Sequence, residues 1–220
     1  SKLRDVLLAE AQDLHRQLDE LETDGATAPD FDENFADSAQ VDAAFAAAEA
    51  AHGPVEIAVA NAGITRDGLV MRMTDEQWDA VLAVNLTGCF NTARRAVKSM
   101  MKQRYGRVVF MGSVVGLFGN AGQVNYSATK AALVGMARSL TREVGKRGIT
   151  FNVVAPGFIE TEMTAVLPTE VTDGFKAQTP AGRMGSVDDI ANAVEFLCSE
   201  RSGFISGAVI PVDGGLGMGH

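Results

Sequence analysis

The spacing of apolar residues changes twice along this chain, and each change predicts an element. In residues 1–22, Leu7, Ala11, Leu14, Leu18 and Leu21 alternate steps of four and three, the period of a helix with one apolar seam. Leu3, Val6 and Leu8 widen that seam beyond the narrow stripe of a coiled coil, so it reads as an ordinary amphipathic helix. Residues 23–29 read as a loop. Residues 31–35 make at best a weak strand, because Asp32, Glu33 and Asn34 interrupt it. Asp37 and Ser38 then precede an alanine-rich helix over 41–51 that ends at His52-Gly53-Pro54.

From Val55 the rhythm becomes regular. Short apolar runs at 55–60, 107–111, 149–155 and 208–212 predict strands, with Pro211 marking the last as an edge. Between them lie helical patterns. Thr74 and Gln77 have the spacing of a capping box, opening a long helix whose apolar face carries Trp78, Val81, Leu82, Leu86, Cys89, Phe90, Ala93, Val97 and Met100. A second helix starts near Asn125 and runs to about Lys146. A third, over 187–198, is capped by Ser186. Residues 158–185 show no clear periodicity, and an unpatterned stretch of that length inside a domain is usually functional, often a lid. Strands alternating with helices predict an α/β fold with a doubly wound, mainly parallel, Rossmann-like sheet over 31–220. Residues 1–30 stand apart as an atypical N-terminal helix and loop.

Composition narrows the class. The chain has 220 residues, 46% hydrophobic and 21% charged, enough for one globular domain with a sizeable core. A net charge of −9 argues against a nucleic-acid partner and against an anionic membrane surface. No apolar run is long enough to span a bilayer, and the start lacks the pattern of a secretion signal, which gives a cytoplasmic expectation. Cys89 and Cys198 fall in apolar helical patterns and read as buried thiols. His15, His52 and His220 are scattered, so no metal site is expected.

The chemistry is concentrated at the ends of the strands. In a parallel sheet, ligands bind outside the carboxyl ends. Asn61-Ala62-Gly63, Ser113 and Pro156-Gly157 each follow a strand directly, so all should meet on one rim. Tyr126 and Lys130 are four apart on the helix after Ser113 and share a face. A phenol beside an ammonium is an acid–base pair, and the positive charge is expected to lower the tyrosine pKa toward neutrality. The simpler reading of that pair is a ring packed under a long lysine stem. Asn85 lies on the apolar face of the long helix, where its amide must find partners, either satisfying a bend near Thr87-Gly88 or serving the site and holding water.

Together, Asn61-Ala-Gly, Asn85 in Val-Asn-Leu-Thr-Gly, Ser113, Tyr126-x-x-x-Lys130 and Pro156-Gly-x-Ile159-x-Thr161 resemble the short-chain dehydrogenase/reductases, from about Asp37 to His220. The Met71-Arg-Met-Thr run, the Gly182-Arg-Met-Gly run and the closing Ile-Ser-Gly-Ala-Val-Ile-Pro-Val-Asp-Gly-Gly are similar to the β-ketoacyl-acyl-carrier-protein reductases within that family. The glycine- and methionine-rich tail is similar to mycolic-acid-pathway members of that group.

The resemblance implies NADPH-dependent reduction of 3-oxoacyl thioesters, carried by acyl-carrier protein or CoA, in fatty-acid biosynthesis. It implies Tyr126 as general acid, Lys130 as its partner and ribose ligand, Ser113 on the substrate oxygen, and Asn85 placing a proton-relaying water. For NADP(H) it implies Asn61, Ala62 and Gly63 beside the adenosine, and Pro156, Gly157, Ile159 and Thr161 beside the nicotinamide. It further implies a homo-oligomer, tetramer or dimer. The family's opening Thr-Gly-x-x-x-Gly-x-Gly turn has no counterpart here, since the only glycine before Gly53 is Gly25. Asn34 stands where the family places an aspartate near the adenine. A second reading follows: a degenerate, non-catalytic subunit of such an oligomer that has lost dinucleotide binding.

Overall fold

The computed structural model describes residues 37–161 and 168–218. The expectations for residues 1–30 and for the 31–35 run lie outside them.

Among the described residues, four strands form one parallel sheet in the order β1-β2-β3-β4: β1 Ile57–Ala60, β2 Gly106–Met111, β3 Ile149–Pro156 and β4 Val209–Val212. The α/β class, the parallel sheet and all four strand positions agree with the sequence pattern. β2 is buried along its whole length and β3 in all but its last residue. Their near-continuous apolar runs follow, because helices cover both faces of a parallel sheet. β4 closes one side of the sheet, where Pro211, lacking an N–H, leaves no bond unmade. β1 lies at the other side, with Ile57 and Val59 exposed and Ala58 and Ala60 buried.

The helices are α1 Ser38–His52, α2 Asp75–Leu82, α3 Cys89–Gln103, α4 Val115–Phe118, α5 Val124–Val144, α6 Thr169–Gln178 and α7 Val187–Cys198. The Asp37 carboxylate caps α1 by accepting from the Ala39 N–H at 2.7 Å. The capping boxes at Thr74/Gln77 and Ser186/Asp189 are both formed, so the two sequence-read helix starts stand. α3 buries Cys89, Ala93, Ala96 and Met100. These small residues let it lie close on the sheet, against Val108, Phe110 and Phe151. α7 covers the other face near Val109, Met111 and Val154. The two cysteines are buried, as their patterns suggested.

Two elements depart from the pattern. The 158–185 stretch contains a regular helix, α6, docked by a stack of Phe158 on Phe175 with ring centroids 3.9 Å apart. A single aromatic anchor replaces the periodic stripe that would have shown this helix in the sequence. The loop after Ser113 contains the one-turn helix α4, which the glycines at 116 and 119 hid.

Candidate active site

The register of the sheet brings the strand-end motifs together. Ala60 pairs with Phe110 and Met111 with Val154, so Asn61, Ser113 and Pro156 leave the same rim. The Ser113 loop is fastened to that rim by main-chain bonds. Gly112 N–H donates to the Val154 carbonyl at 2.7 Å, and Val114 N–H donates to the Pro156 carbonyl at 3.0 Å. Gly157 N–H donates to the Val212 carbonyl at 3.1 Å, and a Cβ there would stand 2.8 Å from Asp213 Cα. The Pro156-Gly157 turn therefore requires its glycine for close packing on the Asp213 turn. Ile159 bridges to Gly185, whose N–H donates to the Phe158 carbonyl at 2.8 Å. Thr161 is exposed at the end of that segment.

Asn85 sits in a π-helical turn, Ala83–Gly88, between α2 and α3. This widened turn is the bend expected near Thr87-Gly88, and such turns concentrate at functional sites. The Asn85 side chain is fully buried and its amide is paired on both sides. Its Oδ1 accepts from Ile64 N–H at 2.8 Å, and its Nδ2 donates to the Ile64 carbonyl at 2.9 Å and to Thr129 Oγ1 at 3.4 Å. The amide thus holds the segment leaving β1 as a neighbouring strand would.

Tyr126 and Lys130 share a face of α5. The Lys130 Nζ lies 5.4 Å from the centroid of the Tyr126 ring. The Ser113 hydroxyl accepts from Val115 N–H at 3.2 Å and stands beside the phenol, where its hydrogen bonding favours loss of the phenol's proton. Lys130 is 4% exposed, and its Nζ donates to the Met111 carbonyl at 2.8 Å. Gly63 lies against this pair, since a Cβ there would be 3.3 Å from both Asn85 Oδ1 and Lys130 Nζ.

The electrostatics correct one expectation. Tyr126 is pushed above the ordinary tyrosine value, not below it. Burial is the main cause, the Asp67 carboxylate adds to it, and only the Ser113 hydrogen bond works the other way. Lys130 does not lower it here. Its ammonium is spent on the Met111 carbonyl, and its own pKa is pulled down by burial. Burial likewise raises the Cys89 thiol, with the Lys130 charge opposing it.

Whether these residues suit a nicotinamide dinucleotide can be tested on the rim itself. A cavity of about 330 Å³ opens beside Asn61 and Ala62, lined also by Val59, Val84, Gly88, Cys89 and Thr92. Bare backbone at Gly63 faces the lysine, and the close Gly157 turn stands across the rim. These features suit the nicotinamide ribose and the nucleoside wall. Among the described residues before Gly53 there is no glycine, so none of them forms a glycine-rich phosphate turn. A larger cavity of about 750 Å³ lies between α1 and α3 and includes none of the rim residues.

Residues 4–217 match the family described as Enoyl-(Acyl carrier protein) reductase. The chain belongs to the short-chain dehydrogenase/reductase family. It is 50% identical over 184 residues to the 3-oxoacyl-[acyl-carrier-protein] reductase MabA of Mycobacterium avium, covering 84% of this chain and 72% of that protein. The same identity and length hold for MabA of Mycobacterium tuberculosis H37Rv, with 74% of that protein covered. FabG of Escherichia coli K12, also named 3-oxoacyl-[acyl-carrier-protein] reductase, is 49% identical over 185 residues, 84% of this chain and 76% of its own.

Three polar residues at this family rim escaped the sequence reading. Asn125 and Thr129 are fully buried, and the Asp67 carboxylate, bonded to Gln123, is near enough for its charge to act on Tyr126. Asn125 was readable only as a helix start. The one available signal was its amide, placed directly before the tyrosine in a helix whose other buried positions are mostly apolar.

Proposed function

We propose that this chain reduces 3-oxoacyl thioesters to 3-hydroxyacyl thioesters with NADPH, the acyl group being carried by acyl-carrier protein or CoA. The observation that carries this reading is the meeting of Ser113, Tyr126 and Lys130 at the carboxyl rim of β1, β2 and β3, with Lys130 Nζ 5.4 Å from the centroid of the Tyr126 ring. The names of the relatives, at about half identity across most of the chain, support the substrate class.

The bound dinucleotide supplies the hydride. The residues of this chain do the rest. Ser113 donates to the ketone oxygen and holds it against the phenol. Tyr126, kept protonated by its buried setting, gives its proton to that oxygen as charge develops. Lys130, now bonded to the Met111 carbonyl, would hold the nicotinamide ribose, and its charge would stabilise the phenolate left behind. Asn85, whose Oδ1 borders Gly63 together with Lys130 Nζ, would place a water that returns a proton toward the lysine. Asn61, Ala62 and Gly63 wall the adenosine side, and Pro156, Gly157, Ile159 and Thr161 hold the nicotinamide. The enzyme works as a homo-oligomer.

Two measurements test this. NADPH at a hundred times its Kd should stabilise the fold by about 2.7 kcal/mol, seen as a raised Tm. A flat melting curve up to millimolar NADPH would favour a non-catalytic subunit. With acetoacetyl-CoA as substrate, Tyr126→Phe should lower turnover by about 10²- to 10⁴-fold with its melting temperature preserved. Turnover at the wild-type rate would remove Tyr126 from the chemistry.

A further inference from the structure

We propose that Asn125 is a positioning residue for Tyr126, locking the first turn of α5 to the loop after β1 and to α2. Its side chain is fully buried, and all three of its hydrogen bonds go to main chain. The Nδ2 donates to the Arg66 carbonyl at 3.0 Å and to the Gln77 carbonyl at 3.3 Å. The Oδ1 accepts from Tyr126 N–H at 2.8 Å. One amide therefore joins three segments that are far apart in the chain, and one of its bonds falls on the main chain of the tyrosine itself.

Neighbouring contacts make the joint stiff. Gly68 N–H donates to the Gly122 carbonyl at 2.8 Å, and Gln123 Nε2 donates to Asp67 Oδ2 at 2.9 Å. On the other side, Thr129 Oγ1 donates to the Tyr126 carbonyl at 2.8 Å and accepts from Asn85. Asn125 and Asn85 thus grip the Tyr126 main chain from opposite ends, one directly and one through Thr129. The phenol stands several ångströms out on this main chain, so a small rotation of the first turn becomes a larger displacement of the hydroxyl from Ser113. A buried amide is suited to the task because it offers two donors and an acceptor in one rigid plane. Without it, the Arg66 and Gln77 carbonyls each lose this donor, and the loop carrying Asp67 keeps only its Gly122 and Gln123 ties to the start of the helix carrying Tyr126.

Only the kinetic arm of the test depends on the reductase reading. The chain has two tyrosines, so protein labelled with [¹³Cζ]tyrosine gives two resonances, assigned with Tyr126→Phe. Asn125→Ala should move the Tyr126 resonance and leave that of Tyr105 in place. Its kcat should fall about 100-fold, the scale of an ångström-level misplacement. Its KM for NADPH should change by less than about threefold, as expected when only transition-state geometry is lost. If the alanine variant fails to fold, Asn125→Ser is read the same way, since its hydroxyl can cap the turn but reaches neither distant carbonyl. An unmoved Tyr126 resonance overturns the proposal. So does a rise in KM at constant kcat, or the unfolding of both variants, which would make Asn125 a general stability residue. If the wild-type chain turns over nothing, the reductase reading falls and the resonance decides for Asn125 alone.

Discussion

In the proposed reduction Tyr126 needs a proton to give, and its surroundings keep one on it. Burial and the Asp67 carboxylate both favour the neutral phenol, so its pKa lies above the ordinary 10. The sign of the pH dependence follows. Ketone reduction consumes the phenol's proton, so kcat/KM for reduction should show no fall from this group between pH 7 and 9. The reverse oxidation needs phenolate and should rise about tenfold per pH unit across the same range. Initial rates in the two directions at fixed cofactor concentration measure this. A basic limb near pH 7 in the reduction would mean that the phenol titrates near neutrality, and would place the Lys130 charge closer to it than the Met111 bond allows. The raised pKa also bears on stability. A group that holds its proton more tightly when folded contributes stability below the unfolded value of 10, and that stability is lost as pH rises through the folded value.

The elements fit together through the absence of side chains as much as through their presence. α4 approaches α5 so closely that a Cβ on Gly116 would stand 2.8 Å from the main-chain carbon of Lys130. Backbone at that distance cannot yield as the end of a side chain would. Gly116→Ala should therefore lower stability by about 1–3 kcal/mol and shift the helix turn that carries Lys130. Thermal melting reads the first effect and NADPH affinity the second. A variant with unchanged Tm would show that α4 can move away from α5 without cost. Asn85, inside the π turn between α2 and α3, bonds both main-chain groups of Ile64 with one amide.

At the scale of the whole molecule, the two rims of the sheet have different tasks. The carboxyl rim holds the proposed site, and the amino rim holds the fold together. Arg107, the second residue of β2, is 5% exposed, and its guanidinium bonds to main-chain carbonyls. It donates to Ser199 at 3.2 Å, to Gly106 at 2.9 Å and to Gly148 at 3.2 Å, and it stacks over Tyr105 at 4.5 Å. This one side chain ties the end of α7 to the turn entering β3. Arg107→Met should fill much of the same space but remove the charge-assisted bonds to these carbonyls, costing about 1.5–3 kcal/mol. Because the site lies at the opposite rim, kcat of the folded fraction should stay unchanged. Denaturant unfolding and specific activity per folded molecule separate the two effects, and a loss of kcat at full folding would show that the rims are coupled.

The alternation of apolar runs and helical stripes was enough to place the four strands, the capped helices and the rim on which Asn61, Ser113 and Pro156 stand. These follow from local rules of period, capping and strand direction, which act over a few residues and are written in the chain. The helix at 169–178 and the turn at 115–118 were not legible, because one depends on a distant phenylalanine and the other on glycines that normally signal loop. The state of Tyr126 was misread for a related reason. Sequence spacing put the ammonium beside the phenol, but burial and the Met111 carbonyl decide where its charge is spent. Partners of buried amides such as Asn125 and Asn85 are likewise set only when segments tens of residues apart meet, since a hydrogen bond is fixed by position in space and not by separation along the chain.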